Sequence, residues 1–317
     1  MVNEIENIKE KILKDLYRAK GKHISGVSLS NTLNISRTAI WKHINALKQK
    51  GFAIVSCPKG YMLKNHDDLL TPFCFDNPKQ FFYFHKLTST MDKAYELSLK
   101  GVENLSVVIA EQQTKGRGRL DRKWFSPTGG LWFTLILKPH IYPSFFYIYT
   151  FAASLSLAIT LRQLFNVNVF VKWPNDLLLN DKKLAGIVSY MQTSGDIIEF
   201  INIGIGLNVN NESFKQEPNS ISLKNILKKN ISRQLILKTF LENFKKQISN
   251  KDYNEIIGNW KKLNSTINKK VKIKTINQTY KGIAIDINNS TGALIIKDKK
   301  GKKHQIVYGD CFYIDRL

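Results

Sequence analysis

At 317 residues, 43% of them hydrophobic, the chain is long and apolar enough for two or three globular domains, which excludes a disordered, fibrous or disulfide-scaffold protein. Its three cysteines, Cys57, Cys74 and Cys311, are odd in number and far apart, which excludes metal-knuckle spacing or a disulfide framework and predicts a reduced, cytoplasmic compartment. The formal net charge of +23 rests on 40 lysines and only 8 arginines, so surface solvation explains much of it; the three arginines between Arg117 and Arg122 are the sharper signal, because a guanidinium fork fits phosphate and carboxylate.

Met1 to Arg18 is polar and charged, so no secretory signal is predicted. Ile5, Ile8, Ile12 and Leu16 share one face and predict an amphipathic helix ended by Gly21. SLSNTLNISRTAIWKHINALKQKGF then predicts a short helix over Ser28–Leu33 and a turn at Asn34. A longer helix follows, capped by Ser36 and stopped by Gly51. That is helix-turn-helix spacing. Ala39, Ile40, Ile44 and Leu47 are expected in the core. Ser36, Arg37, Thr38, Trp41, Lys42 and His43 are expected at the exposed start of the recognition helix, where base edges and phosphates are met. AIVSCPKGYML adds two short strands around Pro58–Gly60, a wing. Winged helices also serve protein contacts; DNA binding is the reading adopted.

The apolar run Leu105–Ala110 predicts a strand, followed by EQQTKGRGRLDRKWFSPTGG and a second strand, LWFTLILK. The glycine-arginine loop therefore joins two strands, and Gly116 and Gly118 let backbone N–H groups approach a ligand. Pro139 to Leu161 contains no Lys, Arg, Asp or Glu, yet Ser144, Thr150, Ser154, Ser156 and Thr160 interrupt it. It predicts a core helix laid on a sheet, and no membrane span. VFVKWPNDLLLNDKKLAGIVSYMQ reads as three strands separated by a Pro turn and an Asn-Asp turn, and DIIEFINIGIGLNVN as one more. Lys172, Asn175, Asp176, Lys183 and Asn208 thus fall near strand ends. A polar site grafted onto an apolar sheet is the expected result. The C-terminal stretch from Lys269 is a series of short alternating strands with turns at Asn277-Gln278, Asn288–Gly292 and Asp298–Gly301.

Three motifs in order carry a resemblance: Q-x-x-GRGR-x-x-R-x-W over Gln113–Trp124, KWPND over Lys172–Asp176 and KLAGI over Lys183–Ile187. With the winged helix in front, the whole chain resembles the bifunctional biotin protein ligases and biotin-operon repressors. The resemblance implies an α+β protein of three domains: a winged helix-turn-helix (1–65), a class II synthetase-like catalytic domain (66–264) and an SH3-like β-barrel (265–317). It implies that biotin and ATP form biotinoyl-5′-adenylate, with Mg²⁺ accompanying the ATP. Biotin then passes to a lysine of biotin carboxyl carrier protein. Adenylation is needed because a carboxylate is a poor acyl donor, and the negative charge gathered in the transition state calls for preorganised cations.

Carried onto this sequence, the resemblance implies that Ser89, Thr90, Gln113, Arg117, Gly116, Gly118 and Gly186 bind biotin or the adenylate. Arg119 and Arg122 would neutralise phosphate, with Lys172 nearby, and Lys183 would hold the carboxyl and phosphoryl oxygens. Asn175 and Asn208 would sit near the nucleotide and its Mg²⁺; no residue is assigned as a dedicated metal ligand. Trp124 would form a pocket wall or a buried structural tryptophan. Asp176 is the candidate base for the acceptor lysine. The expected partners are the carrier protein and operator DNA, bound as a homodimer whose surface the loop Lys115–Arg122 completes on ligand binding. The basic C-terminal loops would touch ATP or the carrier, or simply be solvated.

Two positions depart from the family pattern. Met91 stands where Asn is usual, and Asn210–Ser222 lacks the tryptophan that some repressor-type members place over adenine. Two rivals are kept: a lipoate ligase with the same adenylate logic, and a non-catalytic biotin-sensing repressor. The full motif set argues against the first. Arg119, Asn175 and Lys183 argue against the second.

Overall fold

Local capping organises the N-terminal part of the computed structural model, which describes residues 4–119, 122–212, 217–249 and 252–315, with side chains from residue 8. Two compact units form, Met1–Pro78 and Lys79–Leu317. In the first, α1 (Glu4–Arg18) precedes α2 (Gly26–Leu33) and α3 (Arg37–Gln49). Ser25 caps α2 by accepting from Ser28 N, so this helix starts two residues earlier than predicted. Asn34 turns the chain in the left-handed region at φ 53°, and Ser36 caps α3 by accepting from Ala39 N at 3.1 Å. Ile12, Leu16, Leu29, Ile40, Ile44 and Leu47 are buried, while Ile8 is half-buried. The Ile5 side chain lies outside the described residues.

The predicted wing is the hairpin of β1 (Ile54–Cys57) and β2 (Gly60–Leu63). Tyr61 exchanges two backbone hydrogen bonds of 2.8 Å with Ile24, ahead of α2. Gly60 is required there: its φ is +121°, and a Cβ would fall 2.1 Å from the Ile24 carbonyl oxygen. The unit continues to Pro78, with Phe73 packed edge-on against Tyr17.

The second unit is built on a seven-stranded mixed sheet. In chain order its elements are β3 (Phe81–Leu87), α4 (Thr90–Leu99), β4 (Ser106–Gln113), β5 (Leu131–Leu137), α5 (Phe146–Phe165), β6 (Val169–Lys172), β7 (Asp176–Leu179), β8 (Lys182–Ser194) and β9 (Ile197–Leu207). After them come α6 (Leu223–Leu227), α7 (Arg233–Ser249) and α8 (Tyr253–Lys262). The strand order is β3-β4-β5-β9-β8-β7-β6, with only β3 and β4 parallel. Strand alternation sends Val108 and Ile136 to α4, through Ala94 and Leu97, and Phe133 to the opposite face, against Phe240 of α7. Both faces are covered, which is why β5 and β9 read as nearly unbroken apolar runs.

The apolar stretch expected to be a core helix is α5. It passes the length and hydropathy test for a membrane span, but it is mostly buried inside this unit, against α7 and α8. The Trp260 indole donates to Ser154 Oγ at 2.9 Å, so a hydroxyl in the run has a partner inside the protein.

The C-terminal strands are β10 (Lys270–Lys274), β11 (Thr279–Ile287), β12 (Leu294–Lys297), β13 (Lys303–Ile306) and β14 (Asp310–Tyr313). They form one antiparallel sheet in the order β13-β12-β11-β10-β14. The closed barrel expected from the resemblance is not found. Among the described residues no pairing joins β13 to β14, so the sheet is open at these two edges. Trp173 joins this sheet to the larger one: its indole donates to Gly292 O at 3.1 Å, and its backbone N donates to Thr266 Oγ1 at 3.0 Å.

Candidate active site

The glycine-arginine loop is a hairpin that prolongs β4 and β5. Gln113 N donates to Ser126 O, Trp124 N to Gly116 O at 2.8 Å and Gly118 N to Arg122 O at 2.7 Å. Gly116 is needed for this close approach, since a Cβ would lie 2.4 Å from the Trp124 carbonyl oxygen. Leu120 and Asp121 lie outside the described residues.

Under the hairpin is a cavity of about 600 Å³, the size of a small-molecule site. One end is polar and neutral. Thr90 donates to Gln113 Oε1 twice, from its backbone N at 2.7 Å and its hydroxyl at 3.1 Å, and Thr134 Oγ1 donates to Thr90 Oγ1 at 2.9 Å. Gln113 Nε2 donates to Ser126 Oγ at 2.8 Å, and buried Ser89 caps α4. Met91, where the family has Asn, lays its thioether against Gly204; a Cβ on that glycine would fall 2.7 Å from the sulfur.

The middle is apolar. The Trp124 indole lies on Gly186 and Gly206, where added Cβ atoms would come within 3.0 and 2.4 Å of the ring, and it meets Trp132 edge-on. Trp124 is therefore both a cavity wall and a packed residue. Among the described residues its Nε1 has no hydrogen-bond partner.

The far end is cationic. Lys183 Nζ sits 2.9 Å from Asp176 Oδ1 and 5.1 Å from the Trp124 ring centroid. Arg119 donates to Asn175 Oδ1 at 3.0 Å and to Gly309 O at 3.2 Å; burial is the main cause pulling its pKa below the ordinary value. A guanidinium stays protonated regardless, so burial leaves a poorly solvated cation that gains most from an incoming anion. Arg122 pairs with Asp310, and Lys172 lies 4.6 Å over the Tyr313 ring. Asn175 Nδ2 donates to Ile187 O at 2.7 Å, which fixes its orientation.

The cavity therefore gathers Ser89, Thr90, Gln113, Arg117, Gly118, Arg119, Arg122, Lys172, Asn175, Asp176, Lys183 and Gly186. Arg117 is at its exposed edge, 2.7 Å from Asp92. Two predicted residues do not line it. Gly116 serves the hairpin, and Asn208 is 4% exposed, with its Oδ1 accepting from Asn211 Nδ2 at 3.0 Å. Met91, noted in the sequence for its departure from the family pattern, lines the cavity; Gly204 and Gly206 were missed as lining residues, although the alternating glycines of IGIG were a usable signal. Asp310, Cys311 and Phe312 were missed as well. Burial pushes the Cys311 thiol up to about 12.

In the N-terminal unit, Ser36, Arg37, Thr38, Trp41 and Lys42 are exposed along the start of α3, with Trp41 at 56%. His43 is half-buried, and burial, then Lys9, lowers its pKa. Among the described residues no group of three His, Cys, Asp or Glu side chains could hold a metal.

The mixed sheet that carries this cavity falls in the class of the biotin and lipoate protein ligases. Residues 81–208 match the Biotin/lipoate A/B protein ligase family, residues 9–62 an HTH domain and residues 266–313 the Biotin protein ligase C terminal domain. The bifunctional ligase/repressor BirA of Bacillus subtilis (strain 168) is 31% identical over 314 residues, spanning 93% of this chain and 96% of its own. That of Escherichia coli (strain K12) is 32% identical over 301 residues, spanning 88% and 89%. Among solved structures, the biotin protein ligase from Aquifex aeolicus in complex with biotin and ATP superposes with a TM-score of 0.64 at 26% identity, covering 75% of this chain and 98% of that one. The chain belongs to the bifunctional biotin ligase/repressor family.

Proposed function

We propose that this protein joins biotin to ATP, releases pyrophosphate, and transfers biotin from the adenylate to a lysine of a biotin carboxyl carrier protein. The observation that carries the reading is the gradient along one cavity: neutral hydrogen-bonding groups, then an apolar stretch under Trp124, then four cations. A ureido ring, an aliphatic chain and an acyl phosphate match it in that order. Ser89, Thr90 and Gln113 take the ureido end, and Gly186 leaves room beneath the indole. Lys183 meets the carboxyl and phosphoryl oxygens at the junction, where a preorganised cation stabilises developing charge. Arg119, Arg122 and Lys172 face the phosphates, and Arg117 closes the edge.

Asp176 is the candidate base, and it is released for that task when Lys183 turns from it to the ligand. Mg²⁺ would arrive as an ion carried by the triphosphate, near Asn175 and with no protein cage required; it would supply neutralisation of phosphate charge. Asn208 would act through Asn211 and the chain around it. The two sheets fit a class II synthetase-like centre and an open relative of an SH3-like barrel, under the three-domain division 1–65, 66–264 and 265–317. The free cysteines suit a cytoplasmic protein.

The winged helix-turn-helix would bind operator DNA as a homodimer, with the adenylate favouring the dimer. One such unit covers one half-site, so dimerisation controls affinity. Incubation with ATP, labelled biotin and an apo carrier domain tests the ligase, with lipoate as the competing acid. Label on the carrier, undiminished by lipoate, is expected. Preferential transfer of lipoate would move the assignment to the rival ligase, and adenylate-free retention of biotin would leave only a sensor. Gel shifts with and without the adenylate test the repressor half separately.

A further inference from the structure

The hairpin that carries the arginines is fastened from behind by a buried charge. Arg233 is the first residue of α7, and its side chain is 8% exposed. Its Nη1 donates to Glu111 Oε2 at 2.6 Å and to the carbonyl oxygen of Gly130 at 3.2 Å, and its Nη2 to Glu111 Oε1 at 3.4 Å. The Tyr83 hydroxyl donates to the same carboxylate at 3.4 Å. Glu111 and Gly130 are the two roots of the hairpin. Glu111 lies just before Gln113 on β4, and Gly130 immediately precedes β5.

The next residue along is fastened too. Gly129 O accepts from Asn210 N at 2.8 Å, and the Asn210 carboxamide is locked to Ile231 in both directions, donating at 2.8 Å and accepting at 2.9 Å. One junction thus ties both roots of the hairpin, the approach to α7 and the first turn after β9.

Burying an ion pair is costly, and apolar side chains of the same volume would often pack as well. A guanidinium supplies what they cannot, several directed bonds from one rigid plane, here to a carboxylate on one strand and a carbonyl on the other. We infer that Arg233 is a positioning residue for the arginine hairpin, holding its two roots at fixed separation so that the guanidinium groups it carries stay aimed into the cavity. The inference rests on the ligase reading for its functional half. It needs only the fold for its structural half. A site whose supporting side chains are loose holds its charged groups out of place, and the cost falls on the ligand that needs them most. Here that is the adenylate, because biotin is held largely from α4 and β4.

Two variants of the full-length chain test this without opening a cavity: Arg233→Lys keeps the charge and loses the fork, and Glu111→Gln keeps the shape and loses the charge. Hydrogen exchange in the ligand-free chain reads the structural half. The hairpin amides of Gly118 and Trp124 are expected to exchange about tenfold faster in both variants, while amides in the middle of β9 and α7 keep their wild-type rates. With biotin and ATP, adenylate dissociation is expected to rise about tenfold while biotin affinity stays within about twofold. Uniform acceleration across the unit, or unchanged hairpin amides, would reduce Arg233 to an ordinary core ion pair and overturn the inference. Loosened hairpin amides with normal adenylate retention would overturn it as well. If wild type makes no adenylate while the hairpin still loosens on substitution, the ligase reading fails and the structural role of Arg233 stands.

Discussion

Lys183 is the residue on which the proposed chemistry would turn; its ammonium is held beside Asp176 and the Trp124 ring. Lys183→Ala is expected to cost about 2–4 kcal/mol of transition-state stabilisation, by analogy with oxyanion-hole donors. Biotin-dependent pyrophosphate release should fall on the order of a hundredfold or more, with the fold intact by circular dichroism. Loss confined to carrier transfer would instead place Lys183 in the second step. At the DNA-binding end, His43 and Lys42 are neighbours with different prospects. Burial and Lys9 depress the His43 pKa, so the imidazole is neutral above its ordinary titration range and lends no charge to phosphate. Operator affinity in Lys42→Ala should show a salt slope shallower by about one, and His43→Gln no change in slope. Equal slopes for both variants and wild type would remove Lys42 from the phosphate contacts.

Elements differ in how openly the sequence displays them. The helix-turn-helix was legible because its determinants are local: Ser36 caps its own helix, Asn34 turns without a distant partner, and the apolar spacing repeats within a few turns. Ser36→Ala should release the Ala39 amide and cost about 1 kcal/mol locally, seen as roughly fivefold faster exchange at the start of α3. Protection unchanged at Ala39 would show that the cap contributes nothing. The arginine hairpin was half legible. Its residues and its place between two strands could be read, but its ladder and the reason for Gly116 could not, because the crowding atom belongs to Trp124, across the hairpin. Asn208 shows the opposite limit. A polar residue at a strand end reads as a ligand contact, yet here Asn211 takes it inward. The short C-terminal strands were legible but their closure was not, since alternation in short strands specifies pairing and not closure.

At the scale of the whole molecule, the chain forms two compact units, and the proposed function assigns one activity to each. Deleting Met1–Pro78 should abolish operator binding while biotinylation of a carrier domain continues, because every cavity-lining residue lies beyond Pro78. A folded truncation inactive in both assays would show that the units are not independent. The sheet order β5-β9-β8 and the arrival of Asp310 at the cavity were not legible, since neither is recorded in any local pattern. That arrival matters during synthesis. Arg119 hydrogen-bonds to Gly309, 190 positions later in the chain, and domains fold as the ribosome releases them, N-terminal parts first. A nascent chain can therefore raise its helix-turn-helix and much of its large sheet while the cationic end of the cavity still lacks a wall. Ribosome-bound chains stalled before Gly309 should capture biotin weakly and retain no adenylate, so a newly made molecule acquires its intermediate only after its DNA-reading end is already formed.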